Sequence, residues 1–553
     1  MAAHTLEQLE KSTKSELMQL VLDAERDNAT LMAQVSSLDS QIKSLTEKID
    51  YLVEQIRVSD AYRFGRKTEK LSEIDGQMHL FNECEDMYRE DAPEPSIEEA
   101  LPKSPRKARQ KGQRKLDLSG LPHETCEHRI DSGKADEFFG KGCYRMMKPE
   151  EYMRLRFQPA TWLVEDHLVE VCVGTDGDHQ DEFMRADHPK SLLRNSIVTP
   201  SLEAAVMNGK YVNAMPLYRI EQELGRNGIS ISRQTMANWT MRCADLYFRP
   251  VWDRMKEVLL SFHVTQADET PVRVINSGDE GRSNCYMWVH RSGEFYKERP
   301  IVLYEYHNSR HHKHPEAFYK GYGGILVTDG LNQYHMLEGL IPGLTSANCW
   351  AHARRDFSDA MKAGRGRPPD DPRSTIAYEA LVRIASIYKI EEGLKGLQSK
   401  ERLERRKEAI APLVDEFFAW ILKMKSDGGL IKSKTLSGID YCLKQEKYLR
   451  VFLADGDVPI DNSASERAIR PFCVGKKNWE FCDSVKGAEA SALVYSVTET
   501  AKLNGLNPYY YLEYLLERMP YILELEDKAK SDELEKILPW SKDLPEKCYK
   551  EHR

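Results

Sequence analysis

Three acidic residues, far apart along the chain, have the type and setting for metal-assisted chemistry on phosphate esters. Asp268 ends a strand-like run that begins at His263, and it opens the tetrapeptide Asp268-Glu269-Thr270-Pro271. Asp329 follows a second such run, Gly324-Ile325-Leu326-Val327-Thr328, and precedes Gly330. Glu466 sits in Asp461-Asn462-Ser463-Ala464-Ser465-Glu466-Arg467-Ala468-Ile469-Arg470-Pro471. There an Asx or Ser cap can open a helix that carries Glu466 and Arg470 on one face. Carboxylates brought close together raise each other's pKa, a penalty that a divalent cation removes. Hard oxygen ligands suit Mg2+, which retains waters and accepts phosphate oxygens as further ligands. Two such ions about 4 Å apart can clamp the attacking and leaving oxygens of a phosphodiester. On residue pattern alone a plainer reading stays open, because Asp-Gly is commonly a turn and 88 acidic residues guarantee chance triples.

The elements that must position these side chains can be traced around them. Cys285 to His290 and Pro300 to Tyr306 read as two further strands, with a short helix near Pro315 to Tyr319 and a strand and helix from Ala347 to Ala360. Three strands, a helix and a strand ending in Asp is the order of an α/β, ribonuclease-H-like fold, with the two Asp side chains on neighbouring central strands. Residues 375–425 read as two long charged helices between the second Asp and Glu466. The core is therefore expected over 259–490, interrupted by a helical insertion at about 362–455, with a helical region over 491–553.

Upstream, Pro216 to Arg242 reads as two short helices broken at Asn227-Gly228, with Ser232 placed to cap the second. That spacing fits a helix-turn-helix within a helical region at 196–258, and equally an ordinary helical hairpin. In the first case Arg233, Gln234 and Asn238 are the side chains able to read base edges. Arg354, Arg355, Arg467, Arg470, Lys476 and Lys477 are candidates for phosphate contact, or are plain surface charges. Trp479 is expected in the core.

At the N-terminal end, Leu31, Leu38, Leu45 and Leu52 fall at d positions of a heptad whose a positions are Val35, Ile42, Ile49 and Ile56. That pattern favours a parallel two-stranded coiled coil over 1–75, and Asn28 at an a position would fix its register. Residues 76–117 segregate charge: Glu83 to Glu99 holds eight acids and one base, Lys103 to Lys115 seven bases and no acid. We read them as a disordered linker whose basic half could follow a phosphate backbone. A small β-rich, degenerate zinc-finger-like region is expected at 118–195, with Trp162 to Val164 and His167 to Cys172 as strand candidates. Cys126, Cys143 and Cys172, with His128 and His179, are its conceivable zinc ligands, although sixteen and twenty-eight residues lie between successive cysteines where a zinc knuckle takes close pairs.

Composition narrows the class. The 553 residues are 41% apolar and 30% charged, and carry a net charge of −9. No apolar run is long enough to span a bilayer, and no apolar leader follows Met1. The eleven cysteines are odd in number and lack any C-x-x-C pair, which argues for thiols in a reducing cytoplasm.

Several ordered motifs then carry a resemblance. DETPV (268–272), VTDG (327–330), CWAHARRDF (349–357), DNSASERAIRPF (461–472), GKKNWEF (475–481) and ETAKLNGLNPYYYL (499–512) resemble the transposases of the insertion-sequence-sixty-six family, the TnpC type. RFGRKTEKL (63–71) and KYVNAMPLYR (210–219) are similar too. The resemblance implies a DDE triad at Asp268, Asp329 and Glu466, two Mg2+ ions with Mn2+ as a substitute, and cleavage and strand transfer at the ends of an insertion sequence. It also implies DNA as partner (terminal inverted repeats and target), accessory proteins of the same element, and a cytoplasmic chain that joins the nucleoid when bound. The chain departs from the family pattern in lacking close cysteine pairs and in reading Asp461-Asn462-Ser463 where Asp-Asn-Asn is usual. Cys349-x-x-His352 is expected to pack or lie near DNA, since two ligands do not make a zinc site. Three alternatives remain: an inactive transposase-derived DNA-binding protein, a coiled-coil scaffold whose central domain is only structural, and a ribonuclease-H-like nuclease without strand transfer.

Overall fold

The computed structural model describes residues 13–14, 18–19, 21–23, 25–26, 28–39, 41–42, 45, 162–173, 183–276, 285–363, 375–427 and 434–550. The expected linker, Cys126, His128, Cys143 and His179 lie outside them, as do the heptad positions beyond Leu45. Residues 28–39 are helical, with Leu31, Val35 and Leu38 exposed.

The backbone separates into two units, one built from 209–500 together with the N-terminal segment, the other from 83–208 and 501–553. In the second unit, strands β1 (Val171–Val173) and β2 (Phe183–Arg185) pair antiparallel. Trp162 to Val164 form no strand, and only the last residues of the expected His167–Cys172 strand do. These side chains are exposed, so no apolar surface rewards regular pairing there. Helix α1 (Pro200–Met207), capped by Thr199, belongs to the same unit.

The first unit begins with α2 (Leu217–Arg226), α3 (Arg233–Cys243) and α4 (Arg249–Leu259). Gly228 takes φ +78° in the turn between α2 and α3, and the Ser232 hydroxyl accepts from the Thr235 amide at 3.1 Å. The helix-turn-helix spacing is thus present as geometry. Strands β3 (Val264–Val272), β4 (Val274–Asn276), β5 (Cys285–Ser292) and β6 (Val302–His307) follow, then α5 (Lys313–Phe318), β7 (Ile325–Thr328), α6 (Asn332–Leu340), β8 (Thr345–Asn348) and α7 (Trp350–Ala363). The five long strands form one mixed sheet in the order β6-β5-β3-β7-β8. In its first three strands β5 runs antiparallel to both β6 and β3, while β7 and β8 are parallel to β3. The fold is mixed α/β and rich in helix.

Helices α8 (Ile376–Leu394), α9 (Ser399–Arg405), α10 (Ala411–Ser426) and α11 (Lys434–Leu449) form the insertion, and a π turn at Arg406–Ile410 joins α9 to α10. Their apolar faces are continuous with the sheet: Val264, Val327, Trp350, Phe357, Ile384 and Phe417 belong to one core. Not all of the charge of these helices is solvated. Arg406 is fully buried, forks onto Glu391, and gives its remaining N–H groups to the carbonyls of Phe452, Asp455 and Val458. Because 452–458 leads towards Glu466, this buried pair fixes the return of the chain from the insertion. Helix α12 (Ser463–Trp479), a short strand β9 (Cys482–Ser484) and α13 (Val485–Leu503) complete the unit, and α14 (Pro508–Ile522) and α15 (Asp527–Ile537) belong to the other.

Candidate active site at the carboxylate edge of the sheet

Strand β3 carries the site because it outruns its neighbour. It pairs with β7 only from Val264↔Ile325 to Gln266↔Val327, and with β5 as far as Val272↔Cys285. Sequence alone ends this strand at Asp268; in the structure it continues through Thr270-Pro271, and Pro271 costs no ladder bond to β7 because β7 has already ended there. Continuing the β3–β7 register two places beyond its last pair sets Asp329 opposite Asp268, in strands that lie about 4.8 Å apart.

Alternation along β3 then sorts its side chains. Gln266 and Thr270 meet α12, through Asn462 and Cys473, while Glu269 meets Tyr334 of α6 on the other face. Asp268 shares the face of Gln266, and so faces the helix that bears Glu466. Asn462 locks this arrangement. Expected as a helix cap, it makes no cap bond; its buried side chain turns to the unpaired edge of β3. Its Nδ2 donates to the Ala267 carbonyl at 2.8 Å, and its Oδ1 accepts from Gln266 at 3.2 Å. The Asp461 carboxylate takes over the start of the helix, accepting from the Ser463 amide at 2.9 Å.

The acids act on one another through their charge. Burial, then the like charges of Glu269, Asp329 and Glu466, push the Asp268 carboxyl well above the ordinary carboxylate range, against a lowering by the Glu269 backbone N–H. That amide donates to Asp268 Oδ1 at 2.9 Å, and the Leu331 amide donates to Asp329 Oδ1 at 3.0 Å. Glu466 Oε1 lies 3.8 Å from His352 Nδ1 and 4.0 Å from Arg355 Nη2. Burial, reinforced by Arg355, lowers His352 to about 4, so its imidazole is neutral. Among the described residues no three His, Cys, Asp or Glu side chains converge so as to hold one metal ion between them. The donor set itself, three carboxylates that repel one another, is of the kind a hard cation relieves.

The other expected residues fall into groups. Arg233, Gln234 and Asn238 are exposed on α3, with Gln234 Nε2 donating to Asn238 Oδ1 at 3.2 Å. Arg355 is exposed beside the acids, and Arg354 is half-buried. Arg467 pairs with Glu294 at 2.9 Å, and Lys476 donates to the Pro271 carbonyl at 2.6 Å, so both already have protein partners. Arg470 is half-buried and Lys477 exposed. Trp479 packs edge-on against Phe472. Cys349 is buried, and its sulfur accepts the Asn462 amide at 3.1 Å, a packing role next to the site. Cys172 is exposed on β1.

Some residues that shape the site carry no signal in the sequence pattern. Tyr441 of α11 donates to the Asp329 carbonyl at 3.0 Å, and Gln445 accepts from Asn348 at 3.1 Å. Arg310 and Tyr334 share the Glu269 carboxylate. Only the second acid in Asp268-Glu269 could have drawn notice.

The family model described as Transposase IS66 family matches residues 195–490, more than half of the chain. The chain belongs to this family. A model of the IS66 C-terminal element matches 496–540, and one described as Transposase C of IS166 homeodomain matches 51–125, outside the described residues. Among curated proteins the chain is similar to the uncharacterized protein y4jD of Sinorhizobium fredii, 29% identical over 66% of this chain and 70% of that one. The uncharacterized proteins y4hP and y4qI of the same organism are 31% and 28% identical, over 58% and 66% of this chain. The matches span 59% of y4hP and 66% of y4qI. Among the described residues of this transposase-family chain, no helix is long and apolar enough to cross a membrane.

Proposed function

We propose that this chain is a DNA transposase that binds the ends of an insertion sequence and cuts and joins DNA strands with Asp268, Asp329 and Glu466 as its catalytic carboxylates. The observation that carries the reading is that Asp329 and Glu466 both act electrostatically on Asp268, although they lie 61 (329 − 268) and 198 (466 − 268) positions away in sequence. The sheet order, with β3 central, three antiparallel strands and two parallel ones, supports a ribonuclease-H-like core.

That no three acids converge on one point among the described residues is compatible with a two-ion site. Asp268, Asp329 and Glu466 are the residues that would hold such ions, hard oxygen donors of the kind Mg2+ takes. When bound, a pair of Mg2+ ions supplies Lewis-acid activation and neutralises charge in the transition state. The chain's own residues supply position. Asn462 holds Glu466's helix to the Asp268 strand, the Leu331 amide orients Asp329, and Arg355 offers a cation to the phosphate beside Glu466. No covalent protein–DNA intermediate is required. The exposed polar side chains of α3 would read the element ends, and the N-terminal heptads would pair two protomers so that both ends are held at once.

The test is strand cleavage and joining on a duplex copied from the DNA bordering the gene, with Mg2+, for the parent and Asp268→Asn. The parent should nick at the element end and join that end to target DNA, and the variant should do neither. A variant that cuts like the parent overturns the triad. Binding without nicking by the parent would indicate an inactive DNA-binding descendant, and nicking without joining a plain nuclease.

A further inference from the structure

Glu269, the acid next to Asp268, sits on the opposite face of β3, where its side chain is fully buried. Tyr334 Oη donates to its Oε2 at 2.5 Å. Arg310 gives both Nε, at 2.7 Å, and Nη2 to its Oε1. Arg310 belongs to the segment between β6 and α5, in the run His307-Asn308-Ser309-Arg310-His311-His312-Lys313. Strand β6 is parallel to β3, since each is antiparallel to β5 between them. The loop therefore leaves the sheet at the same end as the carboxylates. Asp329 as well as Glu269 raises the Arg310 pKa, so the guanidinium lies within the field of the carboxylate site.

The molecule supplies its own comparison for what a purely structural arginine looks like. Arg406, paired with Glu391, is wholly buried and spends its donors on that carboxylate and three carbonyls. Arg310 neutralises a carboxylate that is just as buried, yet its side chain remains 37% exposed. Among the described residues its hydrogen bonds use only Nε and Nη2, and its guanidinium also lies over the Tyr286 ring, 5.7 Å from the centroid. A guanidinium already fixed by a fork loses little further freedom when it takes a second anion, and its planar donors match phosphate oxygens.

We propose that Arg310 is a DNA-phosphate contact: Glu269 holds its guanidinium at the rim of the carboxylate edge, where the outward N–H groups take a backbone phosphate near the one acted on at Asp268 and Asp329. His311, exposed on the same loop, and Lys313, exposed at the start of α5, extend the contact along the strand. This rests on the transposase reading for the identity of the anion, and deepens it by naming a residue that grips substrate without belonging to the triad.

The experiment measures binding in EDTA, so that cleavage does not enter. Full-length parent, Arg310→Gln and Arg310→Lys are titrated against a labelled duplex copied from the DNA bordering the gene, at several KCl concentrations. Losing one phosphate contact lowers the slope of log affinity against log salt by about 0.9. Arg310→Gln is expected to show that drop and a several-fold loss of affinity, and Arg310→Lys to keep the slope. Equal slopes and affinities for Arg310→Gln and the parent overturn the proposal, as a merely structural arginine would give. Should Arg310→Gln fail to fold, the parent answers alone. Phenylglyoxal should modify Arg310 in the free protein and several-fold less in the presence of the duplex, and unchanged modification overturns the contact. If Asp268→Asn still cuts DNA while Arg310→Gln loses slope, the triad fails and the phosphate contact stands.

Discussion

The Tyr441 hydroxyl donates to the main-chain carbonyl of Asp329 at 3.0 Å, so a helix of the insertion touches the loop that ends β7. Gly330 makes the approach possible. It holds φ +86°, and a Cβ there would come within 2.7 Å of both Tyr441 Oη and Asn348 Nδ2. The insertion is thereby tied to the position of a proposed catalytic acid.

Tyr441→Phe is expected to leave the fold intact and slow strand cleavage. It removes one hydrogen bond, worth about 1 kcal/mol net, and frees the carbonyl next to Asp329. Gly330→Ala should act more strongly, because it combines a strained φ with a clash. Single-turnover cleavage set beside thermal unfolding checks both. A Tyr441→Phe protein that cuts at the parent's rate would show that the insertion does not position Asp329.

How far the chain could be read in advance depended on whether a signal was local. The strands at β5, β6 and β7 and the capped helix α3 are legible because short apolar runs, a glycine turn and a serine cap all act within a few residues. The setting of Asp268 and Asp329 on neighbouring strands is legible from the order of elements. The bond from Asn462 to Ala267 is not, because the open edge it satisfies exists only once β3 outruns β7. Nor are the partners of Glu391 and Glu269: Arg406 and Arg310 look like any surface arginine until tertiary packing buries the acids. The motifs that point to Glu466 came from family resemblance, and periodicity alone left them ambiguous.

Asp268 should cost the metal-free protein stability. Its folded pKa lies above the unfolded value, so its contribution is fully present below the ordinary carboxylate range near 3.8 and is lost as pH rises through the raised folded value. At neutral pH, Asp268→Asn removes that repulsion and should melt higher than the parent in EDTA, by about 2–4 °C per kcal/mol relieved. Mg2+ should narrow the gap by stabilising the parent through mass action. Thermal unfolding in EDTA and in Mg2+ decides it. A variant that melts lower than the parent in EDTA, with no Mg2+ response in the parent, would argue against a cation site.

A second pH effect should come from the far side of the sheet. His290 is fully buried, stacked on Phe318 at 3.6 Å, with Nδ1 3.1 Å from Tyr319 Oη. Burial lowers it from 6.5 to about 3, aided by Lys256 and His307 and opposed by Glu305, whose carboxylate is 3.8 Å away. The unfolded chain therefore takes up a proton below pH 6.5 that the folded chain refuses, and stability falls as pH drops from there towards 3. His290→Gln should start less stable but show a flatter decline of melting temperature between about pH 6.5 and 4. Parallel curves for the two proteins would mean that this imidazole does not drive the acid sensitivity.

The N-terminal heptads lead to a prediction about assembly. Leu31, Val35, Leu38, Ile42 and Leu45, a stripe of a and d positions, are each more than half exposed in the single chain. Apolar surface repeated at heptad spacing is covered most simply by the same stripe of a second chain, β-branched residues at a and leucines at d favouring two strands in parallel. Leu38→Lys places a charge in the middle of that seam and should convert a dimer to a monomer, as should removal of residues 1–57. Sedimentation at micromolar concentration measures both. If Leu38→Lys sediments as the parent does, whether as monomer or dimer, the stripe is not what holds two protomers together, and pairing of the element ends must be sought elsewhere in the chain.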